Sequence, residues 1–216
     1  LAPSSRPQSR PISSPRLDQS RPISPISPPH LAPISPNLAA DISGTQLTDC
    51  TFVRSTFRHT DLSNSAIEDL RLAGSRFDYT NFAGIKVIDT GMEKVSAPGA
   101  NFNRCDLDQI RFTGSALQNA TFVGAKLMEA SFAEADVRGV DFTSARLNLA
   151  TFRRAKMAGA QFNRAELTDA TLDMASVQDA SFVEVHGLWY LGSTSARPRL
   201  DLGSTSARPR LDLGST

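Results

Sequence analysis

From Ile42 to Phe182 a bulky apolar residue recurs at every fifth position without a slip. Of the 29 positions in this register, 28 carry Ile, Leu, Val, Met or Phe, and Ala97 is the exception. An α-helix advances about 100° per residue, so a five-residue step scatters these side chains around the cylinder instead of gathering them on one face. A flat strand fails as well, because an odd step throws successive members to opposite faces. All twelve phenylalanines fall in the register, which random placement among five registers would give about once in fifty million trials. The chain is a repeat protein whose backbone has to turn every five residues.

Two residues before each register position the sequence selects something small: 24 of the 29 are Ala, Ser, Thr or Cys, the others being Leu70, Ile85, Val95, Ile110 and Val140. One large and one small residue per pentad would fill each wall of a narrow interior, whereas two bulky ones are expected to collide. Four pentads then close a square coil of 20 residues, with coils stacked by backbone hydrogen bonds at the ~4.8 Å strand spacing. Glycine at Gly44, Gly74, Gly84, Gly114, Gly124, Gly139 and Gly159 always falls two after a register position, where a type II corner calls for positive φ.

Segments such as Ala135-Asp136-Val137, Ala100-Asn101-Phe102 and Ala40-Asp41-Ile42 resemble the pentapeptide-repeat family, whose pattern is A(D/N)LXX. The resemblance implies an all-β fold, a right-handed quadrilateral β-helix of about seven coils and roughly 34 Å in length. The chain departs from the pattern in one respect: Asp or Asn precedes the register position in only 7 of 29 repeats. That position is expected to face solvent, so the departure leaves the fold intact. Register residues 20 apart sort into columns, with Phe82 to Phe182 on one side, Phe52, Phe112, Phe132 and Phe152 opposite, and aliphatic sides between.

Composition divides the rest. Residues 1–39 hold ten Pro and nine Ser and read as a disordered leader with polyproline II character. It could serve as a secretion signal of a bacterial effector, a linker phosphorylated at Ser14, Ser24, Ser27 and Ser35, or a peptide ligand. Residues 40–185 form the repeat domain. Residues 186–191 contain Leu188, Trp189, Tyr190 and Leu191, expected to cap the last coil or to make a two-fold dimer contact, as family members that pair through a C-terminal aromatic segment do. Residues 192–216 repeat GSTSARPRLDL without change, which reads as a disordered linker or cloning scar. No apolar run is long enough to span a membrane, and the expectation is a soluble, cytoplasmic protein, or one exported through the leader. The first residue is Leu, which leaves an upstream targeting signal open.

Nothing here points to catalysis, and no metal or cofactor is expected. His30, His59 and His186 lie in the leader, on a corner and in the cap, while Cys50 and Cys105 occupy inward positions as small hydrophobes. Charge is more informative. Over 41–185 there are 15 Lys and Arg against 19 Asp and Glu, a net of −4. Sorted by side the outward positions give −6 for the Leu47 side, −2 for the Ile42 side, +3 for the Phe52 side and +1 for the Phe57 side. The acidic side offers Asp49, Glu68, Asp69, Asp89, Asp108, Glu129 and Asp169, with Lys86, Lys126 and Arg146 interrupting the stripe.

These residues are the candidate contacts for a protein partner of a non-catalytic interaction scaffold. The alternative follows from the resemblance: quinolone-resistance members of the family mimic duplex DNA and bind DNA gyrase, and an acidic rod face is what such mimicry needs. A basic patch of Arg71, Arg111, Arg153, Arg154 and Lys156 lacks interleaved aromatics, which argues against nucleic acid. No small-molecule substrate is indicated. The stretch 84–99 is irregular, with Ile85, Val95 and Ala97 out of size order, and is expected either to bulge with compensating volume swaps or to protrude as a recognition element.

Overall fold

Parallel bridges join the residue before each register position to its counterpart 20 residues on, from Asp41 with Asp61 to Glu166 with His186, in the computed structural model, which describes residues 41–88 and 90–187. Three segments are extended enough to form strands: β1 (Gln46–Thr48), β2 (Ala66–Glu68) and β3 (Lys86–Ile88). They pair in parallel in that order, with Leu47, Ile67 and Val87 in register. Elsewhere the chain turns before a longer strand can form. The result is a β-helix.

The pentad around Phe122 shows how the backbone groups are satisfied. The N–H of Phe122 donates to Asp141 O at 2.7 Å and that of Gly124 to Thr143 O at 3.0 Å, both in the next coil, while Thr121 donates to Ala100 O at 2.9 Å in the coil before. Ala125 closes the turn on Phe122 O at 3.0 Å. In every described turn the residue two after the register position has positive φ, from 52° at Asp69 to 72° at Gly74. Gly99 joins the seven glycines expected there, yet twenty of these positions hold a side chain. Each such residue stores about 1–2 kcal/mol of left-handed strain, which the two inter-coil bonds flanking it hold in place.

One donor per pentad remains, the N–H after the register position. Asp41, Asp61, Asn81, Asn101 and Asp141 accept it through Oδ1 from Ser43, Ser63, Ala83, Asn103 and Thr143 at 2.9–3.2 Å. This corrects the expectation that the preceding position merely faces solvent: its Asp or Asn completes the turn. Where that residue is missing, an Asn or Asp one coil earlier takes over, as Asn103 does for Val123, Asp108 for Met128 and Asn148 for Thr168.

From Leu62 to Val185 the register residues and the residues two before them are buried, and in the first coil Ile42, Leu47, Phe52 and Phe57 are half-buried. Phe82, Phe102, Phe122, Phe142, Phe162 and Phe182 stack with centroids 4.7–5.2 Å apart. They meet the opposite column of Phe112, Phe132 and Phe152 edge to face. The Phe57 side is not wholly aliphatic, since it opens with Phe57 stacked on Phe77 at 5.0 Å.

The bulky pairs do not collide. Leu70, Ile85, Val95, Ile110 and Val140 are all buried, and each is flanked one coil above and below by small residues: Cys50 and Thr90, Ser65 and Cys105, Ser75 and Ser115, Thr90 and Ala130, Ala120 and Ala160. Volume is shared along the axis as well as within a pentad. For the same reason the described residues of the 84–99 stretch, which leave out Asp89, neither bulge nor protrude. Its bridges Lys86 to Asp106, Gly91 to Arg111 and Ser96 to Ala116 stay in register, and Val95 with Ala97 reverses the usual small–large order inside one wall.

Candidate functional site

The acidic residues of the Leu47 side project from one corner of the coil. Glu68 ends β2, Asp49 and Asp69 follow β1 and β2 directly, and the backbone turns at φ 55° and 52° aim the last two outward. Behind them the corner is held by inward hydroxyls: Leu70 N–H donates to Thr90 Oγ1 at 3.0 Å, and Thr90 donates to Ile88 O at 3.0 Å. Further along, Asp108 accepts from Met128 N–H and Glu129 accepts from the Gln109 side chain at 3.1 Å. Asp49, Glu68, Asp69, Asp108, Glu129 and Asp169 are all exposed. Asp89 lies outside the described residues, as do Leu188, Trp189, Tyr190 and Leu191.

Two of the three cations that interrupt this stripe in the sequence are engaged elsewhere, while Lys86 is exposed and forms no ion pair among the described residues. Lys126 pairs with Asp106 at 3.0 Å and Arg146 with Glu166 at 3.4 Å, both acids standing in the ladder on the far edge of the same wall. Among the described residues, none of the six exposed acids forms an ion pair. The edge also bears apolar surface that charge counting passed over: Ile88 is 39% and Leu149 51% exposed. A row of unpaired carboxylates with apolar side chains set into it suits a basic, partly apolar protein surface.

The other walls are more nearly neutralised. Arg111 pairs with Glu93, Arg154 with Glu134 and Arg164 with Glu184. Burial alone would raise the Asp136 carboxyl, but hydrogen bonds from Arg138 and Gln118 hold it below its ordinary range. Cys105 donates to Phe82 O at 2.9 Å, and burial pushes its thiol up to about 12. Among the described residues no three His, Cys, Asp or Glu side chains are grouped to hold a metal ion, and no helix is long and apolar enough to cross a membrane.

Two family descriptions match the coil: "Pentapeptide repeat region" over residues 99–172 and "Pentapeptide repeats (8 copies)" over residues 39–69. No curated protein matches the chain. Solved structures that resemble it include a pentapeptide repeat protein of the Arabidopsis thaliana thylakoid lumen, 22% identical over 66% of this chain and 68% of its own, with a TM-score of 0.33. A trypsin-treated variant of QnrB1, a plasmid-mediated fluoroquinolone resistance protein, is 15% identical over 82% of this chain and 89% of its own, with a TM-score of 0.42. HetL of the cyanobacterium Nostoc sp. strain PCC 7120, a pentapeptide repeat protein involved in heterocyst differentiation regulation, is 16% identical over 72% and 84%, with a TM-score of 0.25.

Proposed function

Since this chain belongs to the pentapeptide-repeat family, we propose that it is a non-catalytic interaction scaffold, a right-handed quadrilateral β-helix of about seven coils that docks a protein partner along its acidic edge. One observation carries this reading: the six described acids of that edge are exposed and free of ion pairs, while two of the three cations beside them, Lys126 and Arg146, are taken up by Asp106 and Glu166. Unpaired surface charge of one sign steers a complementary partner and discriminates against others. Residues 1–39 would then tether the rod or address it for export as an effector, and Leu188 to Leu191 would cap or pair it. In this reading the protein acts in the cytoplasm of the cell that makes it or of a host.

The same edge supports a second reading, a DNA mimic that occupies the DNA-binding surface of gyrase or a related topoisomerase. Charge density favours the first. A net −6 for this side over ~34 Å is roughly one charge per 6 Å, whereas duplex DNA carries one per ~1.7 Å.

Affinity capture with the full chain tests both. The triple change Asp49→Lys, Asp69→Lys, Glu129→Lys should release the partner while leaving the β-rich circular dichroism spectrum intact. A partner retained by this variant, and lost only when residues 1–39 are deleted, would place recognition in the leader. Inhibition of gyrase supercoiling by the chain, abolished by the triple change, would select the mimic.

A further inference from the structure

Asp78 is the one charged side chain that is buried among the described residues, at 3% exposure, although it stands at a position that faces outward elsewhere in the coil. It is covered by arginines. Its Oδ2 takes Arg76 at 2.8 Å and Arg58 Nε at 3.3 Å, and its Oδ1 accepts from Ser96 Oγ at 3.2 Å. One carboxylate thus fixes two guanidiniums that remain half-exposed, with most of their N–H donors directed elsewhere. Arg54, on the adjoining corner and exposed, has no ion pair among the described residues. Beside them His59 and Tyr79 stack in parallel at 5.3 Å, with Tyr79 58% exposed.

Three guanidiniums against one carboxylate leave an excess of positive charge, and Asp78 sets the heads of Arg58 and Arg76 before any ligand arrives, the arrangement that favours bidentate recognition of a phosphate. The aromatic pair does not make this a stacking platform for bases. One face of Tyr79 is against His59, and the ring also lies so close to Gly99 that a Cβ there would meet it at 2.6 Å. The ligand is therefore better sought as a phosphorylated side chain than as a nucleic acid strand.

We infer that Arg54, Arg58 and Arg76 form a phosphate-recognition site on the first two coils, filled by the chain's own Ser-Pro segment when Ser24, Ser27 or Ser35 is phosphorylated. An external kinase would transfer the γ-phosphoryl group of ATP to the seryl oxygen, releasing ADP and a proton. The segment joins the rod at Asp41, in the coil that carries Arg54 and Arg58. At ~3.3–3.6 Å per residue, Ser35 reaches about 20 Å from Asp41 and Ser24 nearly 60 Å, enough to lie against either coil. Phosphorylation would fold the leader back onto the rod, through contacts separate from the acidic edge.

The test titrates the full, unphosphorylated chain with a labelled peptide of residues 21–37 carrying phosphate on Ser27 and Ser35, followed by fluorescence anisotropy. The phosphopeptide should bind at least tenfold more tightly than its unmodified twin. Arg58→Gln should abolish the difference; because it partly uncovers a buried carboxylate, Arg54→Gln, which breaks no pair, serves as the second variant and should weaken phosphopeptide binding about threefold. Equal affinity for the two peptides overturns the inference. So does an unchanged phosphopeptide affinity in Arg54→Gln, or a single-stranded oligonucleotide of equal charge that binds more tightly than the phosphopeptide.

Discussion

The rings of Phe102 and Phe122, one coil apart in the same column, lie 4.7 Å apart and within 8° of parallel, and each also meets Phe112 edge to face. Since both are fully buried, Phe122→Ala should destabilise the domain by about 3–5 kcal/mol, and Phe122→Leu, which keeps most of the volume, by a fraction of that. Chemical denaturation measures both. Similar losses from the two changes would mean that the ring contacts, rather than the buried volume, carry the effect.

Asp141 makes one contact that its backbone neighbours cannot replace, accepting Thr143 N–H at 2.9 Å. Asp141→Ala should cost about 1 kcal/mol, comparable to the loss of a helix cap, whereas Asp141→Asn retains an acceptor and should be near neutral. A thermal scan in which both variants melt with the wild type would show that water serves the half-buried Thr143 N–H equally well.

Leu149 is half-exposed with φ 62°, a conformation that suits neither its shape nor its polarity. Leu149→Asn should raise stability by roughly 0.5 kcal/mol, because Asn tolerates the left-handed region, and Leu149→Val should lower it by about 1–2 kcal/mol. If the order were reversed, the apolar contact of Leu149 would outweigh its backbone strain.

The two thiols should differ in reactivity and in their effect on pH stability. Cys50 is half-buried and Cys105 buried, so a thiol reagent should label Cys50 in the native protein and reach Cys105 only on unfolding. Burial raises the Cys105 pKa from 9.0 to about 12. The folded state therefore binds a proton that the unfolded state releases; this contribution is complete below pH 9 and is lost progressively as pH rises toward 12. Cys105→Ala should flatten the decline of stability over that window, as read from denaturation midpoints.

Much of this architecture is legible from spacing alone, down to the columns of Phe82 and Phe112 and the inward Cys105. The Asx contacts of Asp61 and Asn101 were hidden because a position that is solvent-facing in one sense still borders a lone N–H two residues on. The fit of the five bulky inward residues is hidden for a related reason: Leu70 is judged against Leu72 in a linear reading, but its space is set by Cys50 and Thr90, 20 residues away on either side. The phosphate-site arginines left a weaker trace, since Arg58, Arg76 and Asp78 carry no pattern until coils one and two are brought together.

The sequence by itself determined which residues enter the core, because a backbone that turns every fifth residue fixes the direction of each Cβ, and hydrophobic burial then selects a single register. Tertiary structure alone decided the electrical character of the surface. Whether Lys126 cancels Glu129 or Asp106, and whether Asp78 is exposed or roofed by two arginines, depends on side chains one coil away and on the rotamers they adopt, and Coulomb energies change steeply over those few ångströms. Net charge per wall can be summed from the chain; the unpaired edge exists only once the coils are stacked.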